Sequence, residues 1–185
     1  MSKTFSAALL IIGDEILSGR TQDINIKHLA EKLGSKGIAL REVRVVPDVE
    51  AKIIKAVNEL RAEADYLFTT GGIGPTHDDI TSESVAKAFG VAIERNKKAF
   101  DILVKHYGSE KELNDARLKM TMIPVGAQLI ANPVSSAPGF ILGNVYVMAG
   151  VPKIMQGMLD GVLEGLRGGA VVRANTVVVR LPQGE

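Results

Sequence analysis

The sequence predicts an α/β fold: a three-layer α/β/α sandwich on a mostly parallel sheet. Three observations carry this. Ala7 to Ile12 is an unbroken apolar run closed by Gly13, as expected of a strand covered on both faces. Apolar runs of strand length then alternate with stretches of helical periodicity as far as Gly90. The loops after the first and third runs concentrate glycines and carboxylates, where an open parallel sheet presents its ligand-binding edge.

The elements follow in order. After the first strand, Ile26, Leu29, Ala30 and Leu33 recur at helical spacing. Asp23 near the start and Lys32, Lys36 and Gly37 near the end fit a helix over about 23–36. Glu42 to Val46 reads as a Val-rich strand broken by Pro47-Asp48, with Asp48 as N-cap of a helix whose core face is Ile53, Val57, Leu60 and Ala64. Tyr66 to Thr70 is the third strand, and Thr81 is placed as the cap of a short helix carrying Val85, Ala88 and Phe89 inward. Beyond Gly90 a mainly polar stretch predicts two helices, Lys97 to His106 and Glu110 to Met122, inserted over the sheet. A strand near Gln128 to Ile130 follows, then a hairpin of Phe140 to Leu142 and Val145 to Met148 joined by Gly143-Asn144. Val151 or Pro152 starts the last helix, with Ile154, Met158, Val162 and Leu166 inward. Residues 1–168 are thus one domain. Residues 169–185 are a C-terminal extension in which Val177, Val179 and Leu181 alternate as in a strand, with a further segment left open beyond it.

Composition narrows the function. A chain of 185 residues, 46% hydrophobic and 23% charged, suits one soluble domain with its own core. Twenty-two basic against 21 acidic residues leave +1 without like-charge blocks, which gives no electrostatic footprint for nucleic acid or an anionic membrane. There is no cysteine for a disulfide, a thiolate nucleophile or a thiolate zinc site, and His28, His77 and His106 are scattered. The N-terminal apolar run is too short for a signal peptide or a membrane span, so the cytoplasm is the expected compartment.

The chemistry concentrates in the loops. In FTTGGIGPTHDDIT, residues 68–81, Gly71, Gly72 and Gly74 let backbone amides approach an anion, and the following helix presents free N–H groups. This is a phosphate cradle in outline, with a tight strand-to-helix turn as the alternative. It is neither a Walker A loop nor Gly-x-Gly-x-x-Gly. Asp78 and Asp79 would repel a phosphate unless a hard cation such as Mg²⁺ lay between, or unless one of them is a helix cap. Asp14 and Glu15, in the first loop, pose the same choice between ligand or metal and turn. His77 reads as a solvated loop residue, and His28 and His106 as surface helix positions. Two later loops, Asn132 to Phe140 and Ala149 to Lys153, share the glycine and proline character. The second offers Lys153 as a charge partner for another polar group, or simply places Pro152 in a first helical turn.

Gly13-Asp14-Glu15-Ile16-Leu17-Ser18-Gly19, Asp23-x-Asn25, the glycine loop, Asn114-x-x-Arg117, Ala137-Pro138-Gly139-Phe140 and Gly150-Val151-Pro152 together resemble the molybdopterin-binding domain superfamily over Ala7 to Arg167. Ile73 and the His77-Asp78-Asp79 ending make the chain most similar to the N-terminal domains of the competence/damage-inducible CinA branch. The resemblance implies a glycine loop that binds a nucleotide or pterin phosphate, and a homo-oligomer. It implies ligand-facing roles for Asp14, Asn25, Thr70, Gly71, Gly72, Gly74, Thr76, Asp78, Asp79, Gly150 and Lys153. It further implies metal-dependent hydrolysis of nucleotide pyrophosphates such as ADP-ribose, with Mg²⁺, Mn²⁺ or Co²⁺ at Asp78 and Asp79 and Asp14 as a further catalytic carboxylate. The alternative is a molybdopterin-binding module without hydrolytic activity. The family commonly reads Pro-Gly-Val-Pro-x-Glu-Met where this chain has Ala149-Gly150-Val151-Pro152-Lys153-Ile154-Met155, so this loop lacks one carboxylate and one proline.

Overall fold

In the computed structural model of the chain, which describes residues 4–171, the N-terminal apolar run becomes strand β1 (Phe5–Ile12). It lies parallel between β2 (Ile38–Val46) and β3 (Tyr66–Thr70). The small strands β4 (Ile93–Arg95) and β5 (Met122–Pro124) pair with each other as a separate antiparallel ribbon. The main sheet is completed by β6 (Gln128–Ile130), β7 (Gly139–Leu142) and β8 (Val145–Met148), in the order β2-β1-β3-β8-β7-β6. The β3–β8 pairing is parallel, and the last two pairings are antiparallel.

The unbroken hydrophobicity of β1 is explained by its two covered faces. Ala8, Leu10 and Ile12 enter a core with α3 (Glu50–Glu63) and α4 (Thr81–Phe89), whereas Ala7, Leu9 and Ile11 enter a second core with α2 (Asn25–Ser35) and α7 (Pro152–Leu163). Each fully buried Leu or Ile in these layers contributes about 2 kcal/mol. The three-layer expectation therefore holds.

Several boundaries differ from expectation for local reasons. Strand β2 starts at Ile38 rather than Glu42, because its register against β1 shifts between Ala7 and Ala8 and interrupts the alternation that marks a strand. The helix expected over Glu110 to Met122 is broken. Glu110–Glu112 is a single 3-10 turn, Asn114 caps the five-residue helix α6 (Asp115–Lys119) by accepting from Arg117 N at 3.0 Å, and the chain then enters β5. The preceding helix, α5 (Lys97–Tyr107), is as expected, capped by Asn96 and stopped by Gly108. Leu166 is buried, although α7 has already ended. The alternation at Val177, Val179 and Leu181 lies outside the described residues.

The hairpin turn fixes the helix layer to the sheet. Asn144 Nδ2 donates to the carbonyls of Arg61 (2.9 Å) and Ala64 (3.0 Å) at the end of α3, and Leu67 N donates to Asn144 O (2.9 Å). Asn144→Ala strands both α3 carbonyls and is expected to cost about 1–2 kcal/mol. Urea unfolding should show it as a lower midpoint at an unchanged m-value.

Candidate ligand-binding site

The glycine turn is built by close backbone approaches. Gly71 (φ +100°) donates its N–H to Met148 O, and a Cβ there would fall 2.1 Å from Ile12 O. Gly72 has φ +67°, and its carbonyl accepts from Thr81 N at 2.9 Å. The fully buried Thr81 hydroxyl donates to Gly71 O at 3.0 Å. This corrects the capping expectation: Ile80 occupies the N-cap of α4 without a side-chain bond, and Thr81 instead anchors the loop as it folds back onto β3. A Cβ on Gly72 would fall 2.1 Å from Thr81 Oγ1, so substitution there disturbs the anchor as well as the ligand side.

The two carboxylates of the loop separate. Asp79 Oδ2 accepts from Thr76 N (2.8 Å) and from the Thr76 hydroxyl, while Asp79 N donates to Thr76 O (3.3 Å). Asp79 thus closes a turn, and Gly74 lets it do so, since a Cβ there would meet Asp79 Oδ2 at 2.7 Å. Lys119 Nζ holds the same turn from α6 by donating to Thr76 O at 2.6 Å. Asp78 is fully exposed. Its carboxyl is held below its ordinary range first by the Thr76 side chain beside it, for whose one hydroxyl proton it competes with Asp79, then by its own amide, with His77 and Lys119 adding positive charge.

Asp48 does not cap its own helix, whose N-cap Val49 makes no side-chain bond. It reaches across the sheet edge and accepts from Asp14 N (3.0 Å), at the start of the one-turn helix α1 (Asp14–Leu17). Burial, and then the charges of Asp14, Glu15 and Asp78, raise the Asp48 carboxyl above its ordinary range, against the pull of the Asp14 amide. A raised carboxyl stabilises the fold at acidic pH, and the contribution is lost as pH rises through the raised value. Asp48→Asn keeps an acceptor for Asp14 and removes the charge. It is expected to gain about 0.5 kcal/mol at pH 7 and nothing at pH 3, a difference that paired urea titrations would read.

A cleft of about 340 Å³ opens where β1, β3 and β8 end. Gly71, Gly72, Gly74 and Asp79 line one side; Ala149, Gly150, Val151 and Ile154 line another; Asn132, Ser135 and Ala137 form a third wall, with Met120 and Glu15 at the rim. A smaller cavity of about 60 Å³ adjoins it, sharing Glu15, Gly71 and Gly150, and is lined by Thr70, Asn25 and Thr21 to Ile24. Asn25 opens α2 and donates Nδ2 to Gly150 O (2.9 Å), so it ties the first loop to the last. Asp23, outside the helix, accepts from Ile26 N.

Of the residues expected at the site, Asn25, Thr70, Gly71, Gly72, Gly74, Asp79 and Gly150 therefore come together. Asp14, Thr76, Asp78 and Lys153 are exposed and line neither cavity. Glu15, weighed beside Asp14, is the one that faces the cleft, its carboxylate folded over Gly13 where a Cβ would come within 2.6 Å. Asn132 was missed. Its signal is an Asn-Pro followed by two serines, a composition that favours side-chain-to-backbone turns. The metal expected at Asp78 and Asp79 finds no support: Asp79 accepts from Thr76, Asp78 lines neither cavity, and among the described residues no three of His, Asp and Glu stand together as a ligand group. No described helix is long and apolar enough to cross a membrane.

Residues 8–168 match the family described as "Probable molybdopterin binding domain". A protein of Pyrobaculum calidifontis is 38% identical over 166 residues, which are 87% of this chain and 63% of that one. A CinA-like protein of Citrifermentans bemidjiense is 38% identical over 158 residues, 83% of this chain. The chain thus spans less than two thirds of the first relative's length and 38% of the second's. The crystal structure of CinA from Thermoplasma acidophilum, a protein described as of unknown function, superposes with a TM-score of 0.82 at 34% identity over 88% of this chain and 98% of that one. The molybdopterin biosynthesis enzyme MoaB of Thermus thermophilus shares the fold, with a TM-score of 0.56 at 20% identity over 88% and 91% of the two chains.

Proposed function

The chain belongs to the molybdopterin-binding domain family, and from that premise we propose that it binds a phosphorylated pterin of the molybdopterin class. The observation that carries this is the cleft: about 340 Å³, the size of a small-molecule site, with a strained glycine turn at one end and mostly small or apolar walls. The residues fit such a ligand. The Gly71 N–H is taken by Met148 O, so a phosphate would meet the amides of Gly72 to Gly74, and Ile73, Met120, Val151 and Ile154 suit a flat ring. When bound, the pterin would supply the metal-ligating chemistry for which its class is named, and this chain's own residues hold and orient it. Thr81 fixes the turn that meets the phosphate, and Asn25 holds the two glycine loops together. The homo-oligomer implied by the resemblance belongs to the same proposal.

A second reading, divalent-metal-dependent cleavage of ADP-ribose or a similar nucleotide pyrophosphate, has one observation in its favour. The charges of Asp14, Glu15 and Asp78 all bear on Asp48, which gathers four acids around the start of α1, of which Glu15 lines the cleft. It lacks a carboxylate set aimed into the cavity, and therefore ranks second.

Purified from a host that makes the cofactor, the protein is expected to retain pterin, seen as fluorescence of the acid-extracted, oxidised ligand. Pterin-free protein that releases AMP from ADP-ribose only with added Mg²⁺, Mn²⁺ or Co²⁺ would reverse the order of the two readings.

A further inference from the structure

We infer that Ser135, on the third wall of the cleft, is a specificity-determining residue that reads the charge of the bound phosphate: its hydroxyl donates to the phosphate and favours the dianion. The inference rests on the proposed function for the phosphate alone and adds a side chain that selects its ionisation state.

The third wall is built around a side chain whose own capacity is spent. Asn132 lines the cleft, but its Oδ1 accepts from Val134 N and Ser135 N, and its Nδ2 donates to Ala137 O and Ser135 Oγ. Both donors and both lone pairs of the amide are therefore used within the loop. The bond to Ser135, 2.6 Å long, fixes what that hydroxyl can do. It occupies an acceptor site on the oxygen, while the hydroxyl proton has no acceptor among the described residues. A hydroxyl that accepts from an amide is polarised into a better donor. Ser135 is half-buried and belongs to the cleft lining, so the cleft is where its proton finds a partner.

The rest of the lining decides what that partner is. On the turn, the amides of Gly72, Ile73 and Gly74 make no hydrogen bond among the described residues, and neither does the Ala137 amide near Ser135. No Lys or Arg lines the cleft, so an anion there is held by donors alone, against Glu15 and Asp79, the two charged groups of the lining. A phosphate has several acceptor oxygens and can take donors from two walls at once. Hydrogen bonds to an ionised acceptor are about twice as strong as neutral ones, so such donors favour the more highly charged form. Ser135 is the one unspent side-chain donor of this lining, and therefore the one that a substitution can remove.

The test is a calorimetric titration of the full chain with the phosphate ester of 6-hydroxymethylpterin at pH 8 and pH 5, on either side of the second phosphate pKa of about 6. Ser135→Ala is expected to weaken binding about tenfold at pH 8, where the ester is a dianion, and about twofold at pH 5. Ser135→Thr keeps the hydroxyl and is expected to stay within about twofold of the wild type at both. The split separates a donor from a brace, because loss of a brace weakens both forms alike. Equal losses at the two pH values, no loss at pH 8, or a Ser135→Thr chain as weak as Ser135→Ala overturns the inference and leaves the pterin reading standing. Inorganic phosphate alone, followed by phosphorus NMR over the same range, is the second probe. Bound to Ser135→Ala it is expected to titrate about half a unit or more higher than when bound to the wild type. That shift in a chain that does not bind the pterin ester supports the inference and overturns the pterin reading. Failure of both the ester and inorganic phosphate to bind overturns the two together.

Discussion

Gly71→Ala is expected to cost at least about 3 kcal/mol and to abolish binding of a phosphorylated pterin. The new Cβ would lie 2.1 Å from Ile12 O, a backbone atom at the end of a strand buried on both faces, so neither partner can turn aside. The residue would also have to hold φ +100°, a conformation that L side chains rarely adopt. A native control separates the two effects. Gly90 also has a positive φ, +66°, but a Cβ there meets nothing within 4 Å. Gly90→Ala should therefore show the backbone penalty alone, about 1 kcal/mol. Thermal and urea unfolding of the pair measures the difference, and equal losses would show that the approach of Gly71 to β1 is not the constraint.

Asn132→Ala is expected to release the third wall of the cleft. Its Oδ1 accepts from Val134 N and Ser135 N, both at 3.0 Å, and its Nδ2 donates to Ser135 Oγ (2.6 Å) and Ala137 O (2.8 Å). One side chain, 7% exposed, thus organises the loop between β6 and β7. Within that loop Ser136 is held at φ +65°, with its hydroxyl 3.0 Å from His106 Nδ1. Loss of four bonds is expected to cost about 2–3 kcal/mol, mostly as local opening rather than global unfolding, and to weaken pterin binding about tenfold. Limited proteolysis should cleave the variant near Val134 under conditions that leave the parent intact, and a titration reads the affinity. A variant that resists cleavage and binds normally would remove this loop from the site.

What sequence could and could not show follows from how far each signal reaches. The doubly covered strand β1, the helical stripe of Ile53, Val57 and Leu60, and the Gly143-Asn144 turn are local patterns, and each is realised. The glycine turn was legible for the same reason, since three glycines within four residues mark a tight turn, and two of them, Gly71 and Gly72, take positive φ. Asp48 and Thr81 were misassigned because capping is inferred from the nearest helix, whereas both bond to a different segment: Asp14, which is 34 residues from Asp48, and Gly71, which is 10 from Thr81. Asp79 was legible as one of a pair but not as the member committed to Thr76, which depends on the turn Gly74 permits. Glu15 and Asp14 are adjacent in sequence and carry the same charge, and only the fold decides which faces the cleft.

The central claim, that this cleft holds a phosphorylated pterin through backbone rather than through a metal, is tested most directly by one titration. The protein, freed of metal with EDTA, is titrated calorimetrically with the phosphate ester of 6-hydroxymethylpterin and, separately, with ADP-ribose, and both titrations are repeated with Mg²⁺. Saturable binding of the pterin ester that is indifferent to Mg²⁺, with weaker binding of ADP-ribose, is the expected result. Binding of ADP-ribose that appears only with Mg²⁺, with none of the pterin ester under either condition, would contradict it.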